Sequence, residues 1–373
     1  MSEPLRVGVI GGGAIAQVMH IPNLLEYDQH FQLVALADMN PAVLAAVADH
    51  FHIPHRYVDW GAMLEREDID AVIICHAGSH RDTVIAALDL GKHVFVEKPL
   101  AWNLREVQEV AARASESECV VQLGYHKLYD PAFAYAREQV SKMRDLAYAR
   151  ITVHHADNAL NLMPYRIRRG NGLVEDGLPK LVTWDEYPDY LLSQTASGAL
   201  GPLVDEALGV RKDEKRLRVS YGELIQSIIH HIYMMFGFLG APTRIISADV
   251  WRDGLSLHLN VEYPNGVRCI LDWHTLPYLN DYREEYAFVG NHDRVFLSFP
   301  GPYYRNFPTP VTVLGGENEL SWEKRIIVSY EEAFARELLA FHDNVRDGKK
   351  PLSSVDDAVA HTRFIQQVID AVR

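Results

Sequence analysis

Two residues in this chain have the chemistry and the setting to move protons. The first is Lys98, which ends the apolar run KHVFVEKPL and is followed by Pro99. A lysine before proline is kept extended, and a stem walled by apolar neighbours lets desolvation and nearby charge tune the amine. The second lies in the stretch Tyr221–Phe236, YGELIQSIIHHIYMMF. At about 100° per residue, Glu223, Gln226, His230, Tyr233 and Gly237 fall on one narrow stripe of an otherwise apolar helix. A helix apolar on most sides is buried on most sides, so its polar stripe must meet other polar groups or a wet cleft. This places His230 at a site and turns His231 away from it, toward packing. Lys98 and His230 are the expected catalytic pair, meeting over one ligand, with Gln226 as a hydroxyl-binding neighbour.

The elements that position Lys98 form an alternation of strands and helices. LRVGVIGGGAIAQVMHIPNLL passes from a strand through glycines into a helix. Gly11, Gly13 and Ala16 fit the dinucleotide fingerprint: Gly11 for the tight turn, and Gly13 for close approach of a pyrophosphate to helix N-terminal N–H groups. Ala14 and Ile15 lie between them. The strand FQLVALAD ends at Asp38, roughly twenty residues on, where a carboxylate accepts from ribose hydroxyls and repels a 2′-phosphate. This favours NAD over NADP. PAVLAAVADHF, AVIICHA, RDTVIAALDLG, KHVFVEKPL, LREVQEVAARASE and CVVQLGYH continue the alternation, as in a doubly wound parallel sheet. Ligands bind such sheets at the carboxyl ends of the strands, which makes Cys75, His76, His80, Glu97, Lys98 and His126 candidate cofactor contacts.

The motifs GGGAIA, Asp38, GKHVFVEKPLA and GYHKLYDPAF together resemble the Gfo/Idh/MocA oxidoreductases, which include glucose–fructose oxidoreductase and inositol dehydrogenase. The resemblance implies an N-terminal Rossmann domain over residues 1–130. It also implies a C-terminal α+β domain over 131–373 with a large, mainly antiparallel open sheet, helices on one face and a subunit contact on the other. It implies NAD as cofactor, a sugar or polyol substrate, and Lys98 as a functional residue. The family helix typically reads D-x-x-x-H-x-x-D before L-G-x-P. Here Leu239–Pro242 sets the register, placing the family histidine on His230, with Gln226 and Tyr233 where acids are usual. Cys75-His76 replaces a frequent Thr-Pro, and His126-Lys127-Leu128 a frequent Asn-x-Arg.

The second half supports that division. AYARITVHH, TRIISADVW, LSLHLNVEY, GVRCILDWHT, EYAFVG and DRVFLSF read as strands, with Pro264–Gly266 a hairpin turn. Two amphipathic helices close the chain. A long insertion over about 156–220 contains a basic loop and a partly helical stretch. It reads as a surface arm or as a lid bringing Tyr165, Arg166 or Arg168 to an anionic or polyhydroxylated ligand.

The 373 residues carry 36 Lys+Arg against 50 Asp+Glu, a net charge of −14. Such a surface repels phosphate backbones and anionic lipid, which argues against nucleic-acid and membrane partners. Neither a signal peptide nor a membrane span is expected. The three scattered cysteines suit a reducing cytoplasm. His50, His52 and His55 do not share one face, so no metal is expected, and His154 and His155 point to opposite faces of a strand. The expected activity is hydride transfer between a nicotinamide and a secondary alcohol. The alternatives are glycoside cleavage through transient oxidation and a non-catalytic dinucleotide sensor. A homo-oligomer formed through the C-terminal sheet is expected.

Overall fold

The computed structural model describes residues 3–169, 186–196, 198–317 and 319–373. They fall into two compact units. The first holds the described residues of Met1–His126, Met163–Gly177 and Phe334–Ala360; the second holds those of Lys127–Leu162, Leu178–Ala333 and His361–Arg373.

The first unit is built on a six-stranded parallel sheet: β1 (Leu5–Ile10), β2 (Phe31–Ala37), β3 (His55–Tyr57), β4 (Ala71–Ile74), β5 (His93–Glu97) and β6 (Val121–Gly124). The order is β3-β2-β1-β4-β5-β6, with the chain reversing direction across the sheet between β1 and β4. All four residues of β4 are buried, as expected of a central strand covered on both faces. Local chemistry sets the helix starts. The Asn40 side chain accepts from Ala42 N at 3.0 Å and Val43 N at 3.3 Å, opening the helix Pro41–Phe51 with proline in its first turn. Asn103 does the same for Leu104–Ser115 through Glu106 N at 2.9 Å. From the far end of the sequence, the helix Ala333–Asp347 adds Leu338 and Phe341 to this unit's core.

The second unit carries an eight-stranded sheet: β7 (Leu146–His155), β8 (Arg244–Trp251), β9 (Ser256–Glu262), β10 (Arg268–Thr275), β11 (Arg283–Gly290), β12 (Asp293–Phe299), β13 (Pro310–Glu317) and β14 (Leu320–Ile327). Its order is β14-β13-β12-β11-β7-β10-β9-β8. Among the described strands of this sheet, only the β7–β10 pairing is parallel. The Pro264–Gly266 turn joins β9 to β10, as the sequence suggests. Alternation along β10 buries Cys269, Leu271, Trp273 and Thr275 and leaves Ile270, Asp272 and His274 half-exposed on the opposite face.

The helices Pro131–Lys142 and Ile229–Leu239 cover the buried face. Phe238 lies 4.8 Å from the Phe133 ring and 4.5 Å from that of Phe288. The arm is more helical than its sequence suggests. Tyr187–Ala196, Leu200–Leu208 and Lys215–Glu223 are all helices, so the one containing the histidine pair starts at Lys215 rather than near Tyr221. Residues 170–185, which include the end of the basic loop, lie outside the described residues. No described helix is long and apolar enough to cross a membrane.

Candidate functional site

In the first unit the glycine turn joins β1 to the helix that follows. Gly11 has φ of +99°, and a Cβ there would stand 2.5 Å from His76 N, so both conformation and space demand glycine. A Cβ built on Gly13 meets nothing within 4 Å, which leaves its backbone open to a ligand. A cleft of about 460 Å³ lies over this turn, lined by Gly11, Gly13, Asp38, Trp60, Cys75 and His76 among others. Asp38 ends β2, and its carboxylate accepts from Gly12 N and Asn40 N, each at 2.8 Å. Those bonds aim it at the cleft and leave lone pairs for ribose hydroxyls. Ala14 and Ile15 are half-buried and Ala16 wholly buried, the last packing the turn onto the sheet. The donor set, the open backbone and the cleft therefore fit an adenine dinucleotide.

The remaining candidates of this unit differ in kind. Cys75 donates its thiol to Gly11 O at 3.2 Å; burial, then the charges of Glu97 and Asp38, push its pKa well up, so it stays a neutral wall. His76 bonds Ala77 O and Thr83 Oγ1, both at 2.9 Å. His80 is 2% exposed, with its ring nitrogens 2.7 Å from Pro99 O and from His76 O. Burial, followed by the neighbouring His76, lowers its pKa to about 4. A neutral ring has a single N–H and donates to only one of these two carbonyls, so it packs between the β4 loop and the Lys98-Pro99 turn rather than lining the cleft.

Lys98 follows β5 at a cis peptide bond to Pro99. Its N–H donates to Glu97 Oε2 at 3.1 Å, and Glu97 Oε1 lies 2.8 Å from His20 Nε2. Burial opposes the Glu97 anion. The His20 hydrogen bond and the charges of His20, Lys98 and His126 outweigh it and leave the pKa below the usual value. His126 stacks flat on Phe334, ring centroids 4.2 Å apart.

The arm residues Tyr165 and Arg166 are half-buried and exposed respectively, and both belong to this first unit. Gln17 explains their place: its side chain accepts from Arg168 N at 2.9 Å and donates to Arg168 O at 3.1 Å and to Gly12 O at 2.7 Å. One glutamine thus clips the arm beside the glycine turn, a link with no sequence signature.

In the second unit the stripe of the histidine helix is divided. Residues Leu224–Ile228 form a π-turn between two α-helical segments. Its i→i+5 hydrogen bonds widen the helix and unwind it, so a constant 100° step does not hold across it. Gln226, Ser227 and His230 are partly exposed, whereas Glu223 and Tyr233 are 8% and 0% exposed. A Cβ on Gly237 would stand 2.9 Å from Phe133, so that position packs against a neighbour instead of facing a cleft. The Tyr233 hydroxyl lies 2.8 Å from His230 Nδ1 and takes over the orienting place of the family acid.

His231 lies on the packing side, 1% exposed, with Nδ1 2.9 Å from the Tyr286 hydroxyl and 3.4 Å from Glu284. Glu284 also binds Lys127, Tyr282 and Tyr286. Burial resists its anion, but Lys127 and His231 overcome this and hold its pKa well below the ordinary range. Glu223 accepts from Thr275 Oγ1 at 3.2 Å; burial raises its pKa to about 7, the Thr275 and Ser227 hydroxyls oppose this, and the charge of Asp157 adds to the rise. Burial, then the charges of Glu223 and Asp157, push the pKa of Tyr187, from the arm, upward.

Residues 5–125 match the family described as the Gfo/Idh/MocA oxidoreductase family, NAD-binding Rossmann fold. That match covers the parallel-sheet segment of the first unit, about a third of the chain. Among similar proteins, an inositol 2-dehydrogenase/D-chiro-inositol 3-dehydrogenase of Lacticaseibacillus casei is 33% identical over 139 residues, covering 36% of this chain and 40% of that protein. A myo-inositol 2-dehydrogenase of Thermotoga maritima is 26% identical over 245 residues, covering 58% and 72%. The first match thus spans well under half of the relative's length. The whole fold also has solved counterparts. The 3-ketoreductase KijD10 from Actinomadura kijaniata, described with NADP and TDP-benzene, is 18% identical with a TM-score of 0.72, covering 99% of this chain and 98% of that one. A putative NADPH-dependent oxidoreductase from Desulfitobacterium hafniense is 15% identical with a TM-score of 0.76, covering 100% and 96%.

Proposed function

We propose that the chain is an NAD-dependent oxidoreductase acting on a secondary alcohol of a sugar, cyclitol or related polyol. The observation that carries the reading is the first unit's cleft, where the open Gly13 backbone and the Asp38 carboxylate fit a dinucleotide. Asp38 supports NAD over NADP, because a carboxylate repels a 2′-phosphate. The names of the inositol dehydrogenase relatives support the polyol class. The bound dinucleotide supplies the hydride acceptor. His230, oriented through Nδ1 by Tyr233, takes the hydroxyl proton at Nε2. Lys98 polarises the reacting oxygen, and Gln226 holds a hydroxyl by hydrogen bonding. The partly exposed sheet face carrying Arg150, Asp272 and His274 is the surface proposed for self-association.

A screen of cyclitols, aldoses and glycosides, followed at the nicotinamide absorbance band and by product analysis, tests this reading. Lys98→Ala and His230→Ala are each expected to lower kcat/KM by about 10²–10⁴-fold with folding intact. A flat absorbance with every polyol and ketose would end the reading. The substitution of an acid by Gln226 favours a second one: glycoside cleavage through transient oxidation, which would appear as cleaved glycoside without net NADH.

A further inference from the structure

Gly12 joins two parts of the first unit that lie far apart in the sequence. Its N–H donates to Asp38 Oδ2 at 2.8 Å, on the carboxylate that fits a ribose, and its carbonyl accepts from Gln17 Nε2 at 2.7 Å. Gln17 is 7% exposed and lies in the π-turn Ala16–His20 that opens the helix after the glycines. Its amide also pairs with the main chain of Arg168, accepting from the N–H at 2.9 Å and donating to the carbonyl at 3.1 Å. Both amide hydrogens are spent on carbonyls and the oxygen on an N–H, so one orientation of the side chain satisfies the whole set.

The arm therefore sits on the same hydrogen-bonded chain as the groups that fit the dinucleotide. That chain runs from Asp38 through Gly12 and Gln17 to Arg168, and the next residue after Gly12 is Gly13, whose open backbone suits a pyrophosphate. A glutamine that served only the helix, or only the arm, would need half of these bonds. The clipped segment is also basic: Arg166, Arg168 and Arg169 put three arginines within four residues. Arg166 and Arg169 are exposed and Arg168 is half-buried. In a chain of net charge −14, such a segment beside the turn eases the approach of a doubly charged pyrophosphate.

We propose that Gln17 is a positioning residue of the dinucleotide site and that the arm segment 165–169 is part of that site, so that seating of the arm and binding of the dinucleotide favour each other. By reciprocity, a bound dinucleotide steadies the arm as much as the seated arm tightens the dinucleotide. The proposal rests on the dinucleotide reading of the cleft.

The test uses the full chain with NAD and with ADP-ribose, followed by calorimetric titration and by hydrogen exchange read by mass spectrometry. Neither readout needs a substrate or turnover. Gln17→Leu is expected to raise the Kd of both ligands about tenfold, the scale of one or two hydrogen bonds. Arg168→Pro removes the N–H given to Gln17 without touching the glycine turn. It should weaken binding more than Arg168→Ala, which keeps that N–H, and it serves equally where the buried Gln17→Leu change disturbs the fold. In the wild type, bound NAD should slow exchange in peptides spanning 163–169; in Gln17→Leu it should no longer do so, while β4 stays protected. An unchanged Kd in Gln17→Leu, an Arg168→Pro protein that binds no more weakly than Arg168→Ala, or exchange across 163–169 that ignores NAD in the wild type overturns the proposal. A wild type that binds neither ligand would instead end the dinucleotide reading, and this proposal with it.

Discussion

Glu223 and Glu284 are both buried in the second unit, and they are in opposite states. Glu284 is surrounded by Lys127, His231, Tyr282 and Tyr286 and stays ionised. Glu223 has hydroxyl partners and a second acid, Asp157, and titrates near 7. Both are buried, Glu284 the more deeply, yet it is the ionised one, so the presence of a cation decides the outcome. An acid kept ionised by fixed partners holds a structure together, whereas one titrating near neutrality can exchange a proton in use. In the first unit, Glu97 follows the first pattern, whereas burial and the charge of Glu97 push the Glu337 carboxyl well up.

The strongest way to break this contrast is to remove the Glu284 charge. Glu284→Gln leaves Lys127 buried without its counter-ion, and breaking a buried pair in this way costs about 3–5 kcal/mol. Urea unfolding of that variant should show a loss of this size, whereas Glu223→Gln at neutral pH should not destabilise the fold. A Glu284→Gln protein as stable as the wild type would show that the cluster is not holding Glu284 as an anion.

The pH dependence of Glu223 is the next largest effect. Its folded pKa of about 7 lies above the ordinary carboxyl value, so the folded state binds the proton more tightly. Its contribution to stability is therefore fully present below the unfolded pKa. It is lost as pH rises through about 7, by on the order of 3 kcal/mol in total. Unfolding free energies between pH 5 and 8 should fall with this sign, and Glu223→Gln should flatten the slope. An equal slope in the variant would assign the titration to another group.

Much of this was legible in the sequence, and the exceptions have physical causes. The glycine turn, Asp38 and the strand end at Lys98 follow from local rules, because each depends on a few adjacent residues. The splitting of His230 from His231 was also visible, since adjacent helical residues diverge by about 100°. The stripe through Glu223, Tyr233 and Gly237 was not, because a π-turn changes the angular step and no local pattern announces it. The clip between Gln17 and Arg168, 151 residues apart, and the bond between His20 and Glu97, 77 apart, arise only from tertiary packing. Glu337 was hidden in a terminal helix that looks amphipathic, where a single glutamate on the packed face resembles a surface residue.

The smallest effect sharpens the contrast at the site itself. Tyr233 stands where the family pattern has an acid, so His230 is oriented by a neutral hydroxyl rather than a carboxylate. A neutral partner fixes the ring without stabilising the imidazolium. Tyr233→Phe should therefore lower kcat about tenfold by loosening the ring, one mispositioned hydrogen bond costing roughly 1.4 kcal/mol, and leave the acidic limb of the pH–rate profile in place. Tyr233→Asp should move that limb upward by adding the missing charge. Equal pH profiles in all three proteins would mean that His230 is not the group titrating during turnover, and would direct the search to Glu223, whose carboxyl titrates near 7 on the same helix.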